Sequence, residues 1–583
     1  MKQQDTNEIH AGILIGEVLA KQGVKFLYTL CGGHISPILI GAEQQGVRVI
    51  DVRHEATAVF AADATARLTG VPGVAAVTAG PGVTNTITAV KNAQMAQSPL
   101  VLFGGSAATL LKGRGALQDI DQISLLKPLC KWTTAITKVR QIVPAVEKAF
   151  RIAQEGVPGP VFLEIPVDLL YPKSSVQELM VEAGGGGKGI SGRIVNAYLN
   201  YHVRRSFASG FKQRAGAKIM PPTVLPANGD MTKVMGALHK ANRPVLVIGS
   251  QAMLAANKAV ELQQAVERLG IPTFLSGMAR GLLGRGDLHM RHKRTKAMRE
   301  ADLIILAGLP ADFRMGYGRS IPKSATYISV NLSKEDLTKN RKPNIGLLAD
   351  PGAFLRMLAA SWTGDSQRWQ GWFEKVKQRN DARDIEIQSK AEEETEYVNP
   401  VRLCQQIEAT ISENSVLIGD GGDFVATASY IVRPRQPLRW LDPGAYGTLG
   451  AGGGFALASQ LVYPDAEVWL LYGDGSAGYS LAEFDTFKRH NLPVIAVIGT
   501  DGSWAQIARE QVTMFGTALG TELERTAYHE VAQGYGGHGI LVEQPEQVEV
   551  ALEEARECAK AGKPVCINVQ IGRTDFRKGS ISI

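Results

Sequence analysis

Two aspartates in the last third of the chain each follow an apolar segment and stand in a glycine-containing turn. Asp474 follows the apolar run 468–472, and Asp501 follows the run 494–498. If these runs are neighbouring parallel strands, both carboxylates face the crevice in which such sheets bind ligands. Carboxylate and carbonyl oxygens are the hard ligands that Mg²⁺ takes beside a diphosphate. The spacing therefore predicts a site for magnesium and a diphosphate.

The residues around Asp474 suit a bound diphosphate. Gly473 and Gly475 let the backbone approach phosphate oxygens, and Ser476 carries a hydroxyl donor. Taken alone, Gly-Asp-Gly is more often an ordinary turn, and Asp501 would be an ordinary loop residue. The matched positions after two strands favour the functional interpretation.

A candidate acid–base group lies in the first part of the chain. Glu55 stands where an apolar strand at 47–52 gives way to a predicted helix at 56–68. Taken alone, a glutamate at a helix N-terminus is explained by the helix dipole. The next predicted strand is followed by a glycine-rich loop with Gly82 and Asn85. The loop alone assigns no role to Glu55.

These groups must be positioned by parallel sheets. Strand-like runs alternate with helical patterns in three segments, and parallel strands need a crossover helix. We therefore predict an α/β protein with three doubly wound parallel-sheet domains. The predicted bounds are 1–172, a basic linker at 173–230, 231–362, a charged and helical linker at 363–398, and 399–583.

The segment 473–503, which we call the metal loop, resembles that of the thiamine-diphosphate (ThDP) enzymes related to acetolactate synthase, pyruvate decarboxylase and benzaldehyde lyase. Their ThDP motif runs from Gly-Asp-Gly to a closing Asn-Asn. The resemblance implies that Asp474, Asp501 and the main-chain carbonyl of Ser503 hold Mg²⁺. Thr500 and Asp501 stand in place of Asn-Asn. This departure adds a negative charge at the metal, and we expect a hard divalent cation to be retained.

The resemblance also implies roles outside the metal loop. Glu55 matches the glutamate that hydrogen-bonds N1′ of the ThDP aminopyrimidine and drives its tautomerisation. His34 matches an active-site histidine of benzaldehyde lyase, and Gln118 a glutamine of acetolactate synthases; both would orient or protonate substrate oxygens. Leu449 matches the apolar residue that holds ThDP bent. The other implied cofactor contacts are Gly82, Asn85, Gly422, Asp423, Thr448, Gly473, Gly475, Ser476 and Trp504.

The most specific resemblance is to the acetolactate synthase-like branch that contains 2-hydroxyacyl-CoA lyases. The stretches that carry it are 31–37, 53–63, 77–98, 438–450 and 571–580. This branch implies cleavage of a 2-hydroxyacyl-CoA into an aldehyde and formyl-CoA, and the reverse condensation. One alternative is acetolactate synthase or a benzaldehyde-lyase-like carboligase acting on free 2-keto acids or hydroxyketones. An inactive, ThDP-binding regulatory subunit is the alternative outside enzymes.

Three further expectations come from the resemblance. The first and third domains would bind the pyrimidine and the diphosphate of ThDP. The middle domain resembles one that binds a nucleotide, either FAD, ADP or the nucleotide of CoA, with candidate contacts at 277–281 and 312–314. Arginine there suits phosphate. The superfamily places the counterparts of Glu55 and Asp474 in opposite chains around one ThDP, which implies a homodimer or homotetramer.

Composition excludes several classes of protein. The 583 residues carry a net charge of +7. Residues 183–229 contain no Asp or Glu and seven Lys or Arg, so the charge of this one segment equals the net positive charge of the whole chain. This concentration in a linker argues against a basic nucleic-acid-binding face on a folded domain. We find no apolar run of about 18 residues and no signal-peptide pattern, and predict no transmembrane helix. Five scattered cysteines predict reduced thiols in a cytoplasmic protein.

One segment of the basic linker shows a helical pattern. Apolar residues recur at three- and four-residue steps from Ile194 to Phe211, with basic residues around them. This pattern predicts an amphipathic helix. We expect its apolar face to pack on the first domain. Contact with an anionic membrane surface and contact with the phosphates of CoA are the alternatives.

Overall fold

The computed structural model describes residues 9–183 and 190–578. These residues form three separate parallel β-sheets with flanking helices, which confirms the predicted fold class. The chain divides into two compact units, one of Met1–Ala66 with Val71–Pro222, and one of Arg67–Gly70 with Thr223–Ile583. The first eight residues, the predicted glycine run Gly184–Gly187 and the last five residues lie outside the described residues.

The first unit contains a six-stranded sheet in the order β2-β1-β3-β4-β6-β5. Its strands are β1 Phe26–Leu30, β2 Arg48–Asp51, β3 Gly73–Val77, β4 Leu100–Ser106, β5 Trp132–Ala135 and β6 Pro160–Pro166. Its helices are α1 Gly12–Gln22, α2 Ser36–Gln44, α3 Glu55–Thr69, α4 Pro81–Thr84, α5 Ile87–Met95, α6 Gln122–Leu126, α7 Ile142–Gln154 and α8 Val167–Leu170. The central strands β3 and β4 are buried throughout and carry no polar side chain except Ser106 at the end of β4, because helices cover both faces of a parallel sheet.

The basic linker contains two helices, α9 Lys173–Ala183 and α10 Ile190–Phe207. Val203 and Phe207 of α10 are buried in the hydrophobic core of the first unit. The prediction that this segment packs on the first domain is therefore confirmed for the C-terminal half of α10. The apolar side chains of its N-terminal half, which include Ile194 and Tyr198, are exposed.

The second unit contains two sheets, in the orders β11-β10-β9-β7-β8 and β13-β12-β14-β15-β17-β16. The five-stranded sheet consists of β7 Pro244–Ile248, β8 Thr273–Leu275, β9 Leu303–Ala307, β10 Thr326–Asn331 and β11 Ile345–Leu348. The six-stranded sheet consists of β12 Ser415–Asp420, β13 Trp440–Leu441, β14 Glu467–Gly473, β15 Ile495–Thr500, β16 His538–Val542 and β17 Val565–Gln570.

The helices of the second unit cover the faces of these sheets. Those of the middle segment are α11 Asn228–Lys240, α12 Ala259–Leu269, α13 Arg294–Glu300, α14 Lys334–Thr338 and α15 Pro351–Ser361. The charged linker forms α16 Gln370–Ala391, as predicted. The last segment has α17 Pro400–Thr410, α18 Asp423–Ile431, α19 Gly452–Val462, α20 Asp474–Ser480, α21 Glu483–Arg489, α22 Ala505–Phe515, α23 Tyr528–Gly534 and α24 Val548–Lys560.

Short 3₁₀ helices occupy several connections. They are Val139–Gln141, Gly210–Lys212, Ser250–Met253, Ala256–Lys258, Gly277–Ala279, Phe313–Gly318, Ser366–Trp369, Gly444–Tyr446 and Pro545–Gln547. Among the residues described here, no helix has both the length and the apolar character needed to span a membrane.

Candidate functional site

The two predicted metal-binding aspartates lie at one sheet edge. β14 and β15 are parallel neighbours, and Gly473 at the end of β14 pairs with Gly499 of β15. Asp474 opens α20 directly after β14, and Asp501 follows β15 directly. The sheet therefore brings both residues to the carboxyl ends of adjacent strands, where open α/β sheets bind ligands.

Backbone hydrogen bonds fix the direction of both carboxylates. Asp474 accepts hydrogen bonds from the N–H groups of Gly475 and Gly502, each at 2.8 Å. Asp501 accepts one from the N–H of Ser503 at 3.0 Å. Because Gly502 belongs to the loop that carries Asp501, the Asp474 carboxylate also holds this loop against the end of β14.

The electrostatics of this pair fit a divalent cation. Burial raises the pKa of Asp474. Burial, and then the neighbouring Asp474 carboxylate, raise the pKa of Asp501 to about 7. A hard cation would neutralise these two carboxylates, of which Asp474 is buried and Asp501 half-buried. Residues 9–183 and 190–578 contain no group of three His, Cys, Asp or Glu side chains suited to a metal. The further ligands would therefore be the Ser503 carbonyl and diphosphate oxygens.

A cavity of about 250 Å³ opens beside the two aspartates. Glycine-containing turns after β12 and β14 form its wall, together with the loop after β15. Its lining includes seven of the cofactor contacts that the sequence predicts: Gly422, Asp423, Leu449, Gly473, Gly475, Ser476 and Trp504. The hydroxyl of Thr448, the eighth predicted contact in this unit, donates to the carbonyl of Leu449 at 3.2 Å.

Two glycines permit the close packing of this wall. A Cβ on Gly475 would lie 2.5 Å from the indole ring of Trp504. Gly421 has a φ of 152°, and a Cβ there would lie 2.7 Å from the backbone nitrogen of Gly473. The turns after β12 and β14 therefore meet backbone to backbone, which leaves room for phosphate oxygens near main-chain groups.

The side chains of Ser476 and Asp423 are engaged within the protein. The Ser476 hydroxyl contacts the carbonyl of Asp420 and lies 2.9 Å from the carbonyl of Gly473. Asp423 forms an ion pair with Arg509. In this geometry the hydroxyl proton of Ser476 is directed to main-chain carbonyls rather than to a phosphate, and both side chains hold the turns in place.

The first unit brings the predicted acid–base residues together at the edge of its own sheet. Glu55 is the first residue of α3 and is buried. The side-chain amide of Asn85 donates to its carboxylate at 3.0 Å. A Cβ on Gly82 would lie 3.7 Å from a carboxylate oxygen of Glu55. The glycine-rich loop therefore lies directly against the glutamate.

His34 and Gln118 lie at the same edge. The Nδ1 atom of His34 is 3.1 Å from the hydroxyl of Thr78, which follows β3. Burial lowers the pKa of His34, which favours the neutral imidazole. Gln118 has a φ of 63°, and a Cβ on Gly80 would lie 2.9 Å from its carbonyl oxygen. The loop after β4 therefore places Gln118 against the turn that carries Gly82.

A polar network that was not predicted from the sequence holds this turn. The side-chain oxygen of Gln122 accepts from the N–H of Gly80 at 2.8 Å, and its amide donates to Glu164 at 3.0 Å. Glu164 is fully buried in β6 and forms an ion pair with Lys112. A glutamate inside the otherwise apolar strand 160–166 is the signal that could have revealed the network, because buried carboxylates need partners.

A second cavity, of about 720 Å³, lies in the second unit and is strongly basic. Arg280, from the predicted nucleotide-contact segment, lies in its wall. Its guanidinium is held by the carbonyl of Ser429 at 3.0 Å and by the ring of Trp440, 4.9 Å away. The other basic side chains of the wall are His289, Arg291, His292, Lys293, Arg294, Lys296, Arg299 and Arg433. Most come from the charged run 291–299, which was not among the contacts predicted from the sequence.

The second predicted nucleotide-contact segment does not supply a free guanidinium. Arg314 is paired with Asp312, two residues away, with a closest distance of 2.6 Å. A guanidinium held by a carboxylate in this bidentate manner is already neutralised. Arg291 and Arg433 of the cavity wall are likewise paired, with Asp384 and Glu408. The positive charge of this cavity therefore comes mainly from Arg280, Arg294, Lys296 and Arg299.

Comparison with known proteins agrees with this geometry. Three family models match the chain: the N-terminal TPP binding domain of thiamine pyrophosphate enzymes at residues 9–125, their central domain at 231–358, and their C-terminal TPP binding domain at 420–569. Thiamine pyrophosphate is another name for ThDP. The C-terminal match contains both aspartates, and the N-terminal match contains Glu55, His34 and Gln118.

Similar proteins span nearly the whole chain. A protein of Danio rerio named 2-hydroxyacyl-CoA lyase 2 is 50% identical over 98% of this chain and 93% of its own length. The human protein of that name is 48% identical over 98% of this chain and 92% of its own length. A probable acetolactate synthase of Mycobacterium bovis is 34% identical over 96% of this chain and 95% of its own length. The chain therefore belongs to the thiamine pyrophosphate enzyme family.

Proposed function

We propose that the protein is a ThDP- and Mg²⁺-dependent 2-hydroxyacyl-CoA lyase that forms an aldehyde and formyl-CoA and catalyses the reverse condensation. The observation that carries the proposal is identity of 48–50% over 98% of the chain to two proteins of that name. The presence of Glu55, His34 and Gln118 at one sheet edge supports it, because an inactive binding subunit would not need these groups.

The second unit would hold the cofactor through its diphosphate. The carboxylates of Asp474 and Asp501 and the carbonyl of Ser503 would bind Mg²⁺, and the glycine turns would approach the phosphates. When bound, ThDP supplies a nucleophilic carbon and accepts the electron pair released as the C–C bond breaks. The protein's task in this unit is to bind and orient the cofactor.

The first unit would manage protons. The buried carboxyl group of Glu55 would hold the proton shared with N1′ of the aminopyrimidine, and Asn85 keeps that carboxyl group in place. His34 would accept the proton of the substrate hydroxyl as the C–C bond breaks, since a neutral imidazole is a competent base. The Gln118 amide would orient the substrate oxygen.

The basic cavity of the second unit suits the nucleotide of CoA, or a bound ADP. Its arginines and lysines match phosphate, and Arg280 is held with its guanidinium in the cavity wall. Lys296 and Arg299 are exposed in this wall. The double variant Lys296→Ala with Arg299→Ala should raise KM for a CoA thioester about tenfold or more, because the loss of even one charge-assisted contact has an effect of that size. Its kcat should be unchanged. An unchanged KM would refute this assignment.

We further propose that the active assembly is a homodimer or a dimer of such dimers. The groups that would act on the pyrimidine and those that would bind the diphosphate belong to different units of the chain. The family resemblance places them in opposite chains around one cofactor. Light scattering of the active enzyme tests this proposal, and an active monomer would refute it.

The reaction itself is tested by parallel assays of the purified protein with ThDP and Mg²⁺. A 2-hydroxyacyl-CoA should yield formyl-CoA and the shortened aldehyde in equal amounts. Pyruvate should yield little acetolactate. Acetolactate as the main product would favour the alternative, which rests on the 34% identical probable acetolactate synthase. ThDP binding without turnover of either substrate would leave the regulatory-subunit alternative.

A further inference from the structure

The solvent-facing side of α10 is apolar and rimmed by arginines. Four large side chains on this side are 57–81% exposed: Ile190, Ile194, Tyr198 and Tyr201. Arg193, Arg204 and Arg205 on the same helix are also exposed. We call these seven residues the basic face of α10. Single exposed apolar residues are ordinary on a protein surface, but four on one helix face form a patch.

Helical geometry places these residues on one side. A residue advances about 100° around an α-helix, so steps of three and four residues stay on one face. Ile190, Ile194, Tyr198 and Tyr201 follow such steps. Val203 lies on the opposite side of the helix and is buried in the core of the first unit. Burial of the opposite side therefore accounts for part of the apolar pattern of α10 and leaves the basic face without an explanation.

The basic face is presented by an anchored helix. Asn200 of α10 accepts a hydrogen bond from Gln177 of α9 at 3.0 Å. His202 Nε2 lies 2.9 Å from the hydroxyl of Thr109, which also donates to Asp168 at 2.6 Å. These contacts and the buried Phe207 fix the helix on the first unit. The exposed side chains therefore cannot turn inward by rotation of the helix.

Charge limits what could cover this face. Residues 183–229 contain no Asp or Glu, so the face and its neighbours in sequence are uniformly basic. A second copy of the chain in a twofold contact would press two uniformly basic faces together, because such a contact uses the same patch on both subunits. A negatively charged surface with an apolar layer beneath it complements both the arginines and the apolar side chains.

We infer that the basic face of α10 docks on the surface of an anionic membrane. The arginines contact lipid phosphates, the isoleucines enter the outer acyl region, and the tyrosines lie at the boundary between the two, as aromatic residues with a polar tip do. The helix lies in the plane of the membrane and does not cross it. This inference is independent of the reaction proposed above.

Flotation of the full-length protein with vesicles tests the inference. The probes are phosphatidylcholine vesicles with phosphatidylglycerol, and vesicles of phosphatidylcholine alone. We expect flotation with the anionic vesicles at about 0.01 M salt and its loss near 1 M, where the Debye length falls from about 30 Å to about 3 Å. The triple variant Arg193→Glu, Arg204→Glu and Arg205→Glu should weaken binding about 100-fold, since each basic residue near such a surface contributes roughly a factor of five.

A matched variant controls for net charge. Lys240→Glu, Lys323→Glu and Lys342→Glu make the same change of charge at exposed positions of the second unit, and this protein should float like the wild type. Ile194→Ser with Tyr198→Ser should also reduce flotation, although it leaves the charge unaltered. Protein that stays in the aqueous fraction at low salt overturns the inference. So does equal flotation of the wild type and the arginine variant, or a change of oligomeric state on mutation of the face.

Discussion

The side-chain amide of Asn85 donates a hydrogen bond of 3.0 Å to the carboxylate of Glu55. The two residues come from different elements, because Glu55 opens α3 and Asn85 follows α4. The carboxyl group is thus fixed by a neutral donor that cannot take its proton. We expect Glu55→Gln to bind ThDP normally and to lose about 10²–10⁴-fold in turnover, the usual range for general acid–base catalysis. The measurements are kcat at saturating ThDP and calorimetry of ThDP binding.

Asn85→Ala separates positioning from proton transfer. It removes one hydrogen bond to a charged group, which contributes roughly 1.5–3 kcal/mol, but leaves the Glu55 carboxyl group. Its turnover should therefore fall by about tenfold or more and remain above that of Glu55→Gln. Near-wild-type turnover in Glu55→Gln would remove the catalytic assignment of this glutamate.

The Mg²⁺ site predicts unequal effects at its two aspartates. Asp474 accepts two backbone hydrogen bonds, one of them from the loop of Asp501. Asp474→Ala should therefore abolish Mg²⁺-dependent ThDP binding, and Asp501→Ala should weaken it equally or less. Asp501→Asn should be tolerated, because Asn retains the oxygen ligand and is the usual residue of the family motif. Calorimetry with and without Mg²⁺ measures these affinities. Unchanged ThDP affinity in Asp474→Ala would disprove the site.

The sequence predicted those parts of the site that depend on local order. The apolar runs before Asp474 and Asp501 have the length of strands, and the glycines mark where the strands end. The prediction that these two strands are neighbours required only the assumption that strands joined by a helix pair in parallel. The local pattern also predicted that Glu55 lies where a strand gives way to a helix. In the structure Glu55 is the first residue of α3, one residue before the start of the predicted helix.

Features that depend on distant pairing were not predictable. Gln122 and Glu164 are 42 residues apart and meet only through the packing of α6 beside β6. The basic cavity likewise needs two sheets to pack before its wall exists, so the run 291–299 looked like any charged segment. The Arg314–Asp312 pair, in contrast, spans two residues and could have been anticipated.

The contact between Gly475 and Trp504 predicts a steric effect on cofactor binding. A Cβ on Gly475 would lie 2.5 Å from the indole ring, so Gly475→Ala must displace Trp504 from the cavity wall. Overpacking of this kind costs about 1–3 kcal/mol, and ThDP affinity should fall correspondingly. Gly478→Ala in the same helix is the control, because its Cβ would meet no atom within 4 Å. Equal affinities of the two variants would contradict the steric account.

Asp420 predicts a pH dependence of stability. Burial raises its pKa to about 7, and two backbone hydrogen bonds from Gly450 and Gly452 oppose the shift. The folded protein therefore holds this proton at pH values where the unfolded chain, with a pKa near 3.8, has lost it. The free energy of unfolding should then fall as pH rises from about 4 to about 7, and change no further above that.

Asp420→Asn removes this titration. Relative to wild type, the variant should gain stability as pH rises through that window, although it loses a hydrogen-bond acceptor at every pH. Thermal unfolding at pH 5 and pH 8 measures the difference. Asp465→Asn, at an exposed position of the same unit, is the control and should show no such change. A midpoint difference independent of pH for Asp420→Asn would contradict the assignment.

The proposed dimer predicts that two inactive variants restore each other. Glu55→Gln damages only the group contributed by the first unit, and Asp474→Ala only the metal site of the second unit. If each active site combines units of opposite chains, a heterodimer of the two variants has one site with both lesions and one site with neither. Random pairing in co-expressed protein should then give about a quarter of wild-type activity, since half of the dimers are mixed and each has one intact site. Each variant expressed alone serves as the control. If a single chain supplied both halves of its own site, every site in the mixture would carry one lesion and the activity would stay at the level of the single variants.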